Sequence, residues 1–203
     1  MFWRTIKEAL IAGYDHIGML MVMNILFVLA SLPLITLPAT IPMLSAAVSS
    51  LARGERPSLK ELWRHAGRYY RGGGLLILTT IGVTAILIAD LYALGEMKNS
   101  HPRAAYLIMG FVLCFLLIWL LMQLYVIPIF LAEGLSVFAT FRKALLMVLD
   151  NFGLSLLFGM TMLAVILLMA VTGVGPFVIM VSFLFLLQHV LFNNLMERYH
   201  GHR

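Results

Sequence analysis

Lys7-Glu8-Ala9-Leu10 leads to Asp15-His16-Ile17-Gly18, and the same pattern returns without a gap where Arg142-Lys143-Ala144-Leu145 leads to Asp150-Asn151-Phe152-Gly153. A looser third copy runs from Arg64 through Arg68 to Tyr69-Tyr70-Arg71-Gly72. After each copy come an apolar run, a break bearing a proline (Pro38, Pro102, Pro176) and a second apolar run. A repeated unit sets an architecture before any single residue is read for chemistry. Here it predicts an all-α, polytopic membrane bundle. Three helical hairpins would each be preceded by a cytoplasmic amphipathic helix.

Composition points the same way. The 203 residues are 62% hydrophobic and 11% charged, outside the range of ordinary soluble domains. Apolar runs of about 20 residues recur, each long enough to cross a hydrocarbon layer of about 30 Å. The spans are read as residues 17–35, 38–51, 74–94, 105–131, 153–171 and 176–196. Segment 38–51 gives about 21 Å of helix, so it either crosses with local thinning of the bilayer or is re-entrant, leaving five spans. The first apolar run starts too late and runs too long for a cleavable signal. The lone Cys114 excludes an intramolecular disulfide, and the 14 methionines suit irregular packing between helices.

Charge placement orients the chain. With six spans and both termini in the cytoplasm, nearly every Lys and Arg falls inside, and only Lys98 and Arg103 lie outside. Five spans would move Arg4 and Lys7 outside as well. The extramembrane helices are expected over residues 1–16, 58–71 and 138–150, with a cytoplasmic tail at 197–203. The middle one is best marked, because Ser58 and Glu61 have capping-box spacing after Pro57. Its Leu59, Trp63, Ala66 and Tyr70 share one face, and Lys60, Arg64, Arg68 and Arg71 share the other. That is an interfacial helix with cations toward anionic headgroups or a partner. Arg142 and Lys143 give the third helix the same character. Gly72-Gly73-Gly74 is expected to allow a sharp bend into the next span.

The corner Leu32-Pro33-Leu34-Ile35-Thr36-Leu37-Pro38-Ala39-Thr40 is unusual inside an apolar region. Pro33 and Pro38 remove backbone donors, and Thr36 and Thr40 can bond freed carbonyls. It reads as a hairpin turn before a tightly packed helix, or as a substrate-binding break. With Ala52-Arg53-Gly54-Glu55, Leu62-Trp63-Arg64 and Tyr70-Arg71-Gly72, the corner resembles the YesL-like family of bacterial membrane proteins. The likeness runs from about Trp3 to Leu75 and is general in hydrophobic pattern beyond. One departure is Leu37, where the family tends to place glycine. The resemblance implies a multi-pass bacterial cell-membrane protein without an established activity. It also implies an accessory or regulatory role beside carbohydrate importers of the ATP-binding-cassette type.

Several polar side chains share one depth in the six-span reading. Asn24, Thr79, Thr80, Gln123, Thr161, Gln188 and His189 lie about 8–13 Å from the cytoplasmic ends of their spans. They form either a polar layer lining a shallow cavity or hydrogen bonds that join helices. Asp90 falls near the opposite end of its span and Glu133 at the cytoplasmic border. The chain has no Gly-x-Ser-x-Gly elbow, phosphate-binding loop or His-Glu-x-x-His pair. His200 and His202 are poor evidence for a metal. The expectation is a non-enzymatic protein without cofactor or metal, with an anionic lipid surface as partner, sugar-importer subunits as the partners the resemblance implies, and no nucleic acid. A small-solute transporter or channel is the alternative.

Overall fold

The computed structural model describes residues 2–32, 36–53, 59–97, 102–173 and 175–201, with side chains described except at 37–39, 59–71, 176–177 and 200–201. Among the described residues there are helices and no strands. They are α1 (Phe2–Asp15), α2 (Ile17–Ser31), α3 (Leu37–Ala52), α4 (Leu59–Met97), α5 (Pro102–Glu133), α6 (Val137–Asp150), α7 (Phe152–Val171) and α8 (Val181–Gly201). A π-helical turn, Pro176–Met180, leads into α8.

Four segments are long and apolar enough to cross a membrane: Gly72–Met97, Pro102–Glu133, Phe152–Val171 and Val178–Tyr199. A fifth candidate is the pair α1 and α2, bent by 82° at their joint. The chain is therefore an integral membrane protein with four to five apolar helices fit to span. Segment 38–51 lies in α3, whose apolar part Thr40–Ala52 is shorter. The first apolar run is helical only to Ser31 before the corner, so α2 has 15 residues, about 22 Å.

The helices α3, α5 and α8 pack on one another, and their fully buried side chains, among them Leu51, Tyr125, Ile129 and Leu191, form the centre. Around them, α2 packs against α3 and the π-helical turn, α4 against α3 and α5, and α7 against α5 and the same turn. Amphipathic α1 seats on α8, and α6 seats on α5. Both bury the same positions of the repeat: Thr5 matches Thr140, Ala9 matches Ala144 and Gly13 matches Val148. The outer faces of α4, α5 and α7 carry exposed apolar residues such as Leu78, Phe111 and Leu167, as a lipid-facing surface requires.

Two expectations are corrected. The basic helix at 58–71 is not separate, because α4 runs without a break from Leu59 to Met97 through Gly72-Gly73-Gly74. The glycines serve close packing instead. A Cβ on Gly73 would stand 2.5 Å from Cγ of Pro42, and one on Gly72 3.0 Å from Phe130. The tail is also helical as far as Gly201. The capping box at Ser58, and Pro33 of the corner, lie outside the described residues.

Gly73→Ala should destabilise the protein by about 1–3 kcal/mol, because the rigid Pro42 ring cannot swing away. Gly82→Ala, with nothing within 4 Å of the added carbon, should be neutral or gain up to about 1 kcal/mol from helix propensity. Thermal melts of the two variants in detergent check the contrast.

Candidate functional site

Several buried and half-buried polar side chains form separate helix–helix pairs. Between α4 and α5, Thr80 Oγ1 donates to Gln123 Oε1 at 3.4 Å and Trp119 Nε1 to Thr84 Oγ1 at 3.0 Å, while within α5 Gln123 Nε2 donates to the Trp119 carbonyl at 3.2 Å. Between α3 and α8, Ser45 Oγ and His189 Nε2 lie 2.8 Å apart, with Ser45 fully buried and His189 4% exposed. Between α5 and α7, the Tyr125 and Ser155 hydroxyls meet at 2.8 Å. Asn24 Oδ1 accepts the Ser182 backbone N–H at 3.1 Å, just after the π-helical turn.

Of the side chains expected to share one depth, Thr80 and Gln123 are joined. Asn24 and His189 each bond another helix. Thr79 and Thr161 bond carbonyls of their own helices, at Leu75 and Leu157. Gln188 keeps a buried Oε1 without a hydrogen-bond partner. Sequence reasoning missed Ser45, Thr84, Trp119, Tyr125 and Ser155 as partners. Ser45 reads only as a small residue for close approach, and its histidine lies 144 positions away.

The corner is partly visible. Thr36 Oγ1 donates to the Ala30 carbonyl, as expected of a freed acceptor, and Thr40 meets the Ser31 hydroxyl at 3.1 Å. Pro38 opens α3 near its first turn, and the more telling proline is Pro42 against Gly73. Lys60, Arg64, Arg68 and Arg71 lie on α4, and their side chains lie outside the described residues. Lys143 Nζ donates to Glu133 Oε1, tying α6 to the end of α5, and Arg142 is exposed.

The large cavity lies at one end of the bundle. A cleft of about 1030 Å³ is bounded by α1, the C-terminal ends of α3 and α5, and the last turns of α8. Its floor includes Leu51, Val190 and Phe192, and its walls carry Glu8, Asp15, Glu133 and Glu197 beside Arg4 and Arg53. One network fastens α1 to α8. Arg4 Nε donates to Glu8 Oε1 at 2.7 Å, while Asn194 Nδ2 reaches Glu8 Oε2 at 2.7 Å and Thr5 Oγ1 at 3.0 Å. The Arg4 hydrogen bond, then that of Asn194, holds the Glu8 carboxyl below the usual carboxylate range. On the far side, Asn151 Nδ2 donates to the Tyr199 hydroxyl at 2.7 Å.

Comparison with protein-family models, with curated proteins and with solved structures gives no match for this chain.

Ser45→Ala should cost about 1–2 kcal/mol, since it strips a partner from a buried imidazole. Thr79→Val, which loses only a bond to its own helix, should stay within about 0.5 kcal/mol. Glu8 is a depressed carboxylate. Its contribution to holding α1 is therefore complete above the ordinary carboxylate pKa and is lost as pH falls through its lowered folded value. Proteolysis of the α1 segment should rise on acidification in the native protein. In Glu8→Gln that particular pH dependence should be missing.

Proposed function

We propose that this chain is a non-enzymatic accessory protein of the bacterial cell membrane, crossing it six times with both ends in the cytoplasm. It would serve carbohydrate uptake by an importer of the ATP-binding-cassette type, as the YesL-like resemblance implies. The observation that carries the non-catalytic reading is the division of polar groups. Inside the bundle Ser45 with His189, Thr80 with Gln123 and Tyr125 with Ser155 bond helix to helix, while the open cleft and its charges gather at one end.

Geometry also supports the six-crossing reading. The C-terminal ends of α3, α5 and α8 border the same cleft as α1. Chain parity then favours α2, α4 and α7 leading away from that end and their successors returning to it. Five crossings would put α1 and the end of α8 on opposite sides, against the Asn194–Glu8 and Asn194–Thr5 bonds. The basic residues Lys60, Arg64, Arg68, Arg71 and Arg142 then lie on the cytoplasmic side, suited to anionic headgroups or a partner.

Ser45 and His189 resemble a nucleophile and base in spacing alone. Both sit in continuous helices whose amides are used in the backbone ladder, so no donor pair is offered to an oxyanion. The transporter or channel reading has less support, because Leu51, Tyr125, Ile129 and Leu191 fill the centre.

In a background with Cys114→Ser, Trp3→Cys and Arg198→Cys should resist a membrane-impermeant maleimide added outside intact cells, whereas Lys98→Cys should react. Labelling at position 3 would remove the six-crossing reading. Affinity purification from native membrane should recover a sugar permease, and deletion of the chain should lower uptake. Sugar or ion flux through liposomes holding the purified chain alone would instead establish the transporter.

A further inference from the structure

We propose that the cleft between α1 and the ends of α3, α5 and α8 holds the headgroup of a zwitterionic phospholipid with a primary ammonium, a phosphoethanolamine. The first support is its level. Trp3 and Tyr14 on α1 are each 80% exposed, and rings of this kind settle among headgroups. Ile11 lines the cleft and is half exposed, so the cleft opens beside the lipid-facing surface.

The second support is its chemistry. The floor of Leu51, Val190 and Phe192 suits the first carbons of acyl chains, and the walls carry both signs. Arg4 answers Glu8 and Glu197, and Lys143 answers Glu133. Asp15 has no ion-pair partner among the described residues, and it faces the same space as Arg53. The Arg53 guanidinium, which reaches the Ser49 and Ser50 hydroxyls at 3.4 Å, is a fork suited to a phosphate. Carboxylates accept N–H bonds from an ammonium, which choline, fully methylated, cannot donate. A purely anionic headgroup would meet the wall carboxylates without a cation to offer them.

The third support is a departure from the repeat. At the positions of Arg4 and Glu8 the second copy carries Ala139 and Lys143, and there Lys143 closes directly onto Glu133. The charged walls contributed by Arg4 and Glu8 thus belong to the α1 copy alone.

The test is native mass spectrometry of the purified full chain offered equal amounts of phosphatidylethanolamine, phosphatidylcholine and phosphatidylglycerol with identical chains. Phosphatidylethanolamine should be retained about tenfold over phosphatidylcholine, the scale of one charge-assisted hydrogen bond. Asp15→Asn should reduce that ratio to about twofold or less. Arg53→Gln should lower retention of both lipids and leave their ratio, because they share the phosphate. Leu78→Ala, on the lipid-facing side, should change neither. If Asp15→Asn does not fold, Asp15→Gln reads the same ratio. Equal retention of the two zwitterionic lipids, or an unchanged ratio in the folded carboxylate variant, overturns the proposal. So does displacement of the lipid by soluble phosphoethanolamine at equal concentration, which would make this a site for a free solute.

Discussion

Backbone amides and carbonyls inside a bilayer have no water to turn to, and every interruption of a helix has to be answered by a side chain or by a tightened backbone turn. This chain interrupts its helices repeatedly, and the answers are visible. At the α1–α2 joint the Ala12 carbonyl accepts the His16 N–H at 3.2 Å with the His16 ring 3.1 Å away, and at the α6–α7 joint the Met147 carbonyl accepts both the Asn151 N–H at 3.1 Å and Asn151 Nδ2 at 3.3 Å. Thr36 answers Ala30 at the first corner. At the second, Thr172 Oγ1 accepts from Gly175 N at 3.1 Å, beside Gly173 at a φ of 65°. After the π-helical turn, Asn24 receives the Ser182 N–H. A short polar side chain thus stands at each of these turns.

The same constraint explains why the third copy of the repeat behaves differently. His16 and Asn151 occupy equivalent joints, with φ near −117° and −129° respectively, and each bonds the carbonyl four residues earlier. The corresponding residue in the third copy is Tyr70, whose hydroxyl stands at the end of a ring, too far to cap its own turn. There α4 continues as one helix of 39 residues. The glycines that follow could have bent the chain. Straight, they let the Pro42 ring of α3 and Phe130 of α5 close on α4.

The helical membrane class was legible in hydrophobicity and length alone, and the joints at His16 and Asn151 in the gapless repeat. Exact partnership inside the bundle was not. Helical rise places Asn24, Gln123 and His189 at one depth, but depth does not give rotation about the helix axis, and rotation chooses the partner. His189 thus meets Ser45 rather than another member of the layer, and Gln123 meets Thr80. The end cleft was hidden for a related reason. Glu8 and Asn194 are 186 positions apart, and each reads locally as a polar residue on an amphipathic helix.

Interhelical hydrogen bonds in membranes contribute about 0.6 kcal/mol on average, so the few pairs found here add little to total stability. Their larger consequence is geometric. Apolar helices in lipid have no solvent difference to hold one rotation over another, whereas a buried imidazole turned away from Ser45 would lose a partner that the hydrocarbon cannot replace. The pairs therefore hold α3 against α8, α4 against α5 and α5 against α7 in fixed rotation. Among the described residues, the buried side-chain atoms left outside such pairs are Ser182 Oγ and Gln188 Oε1. At the end where α1, α3, α5 and α8 meet, carboxylates, guanidinium groups and apolar side chains face the same open space instead.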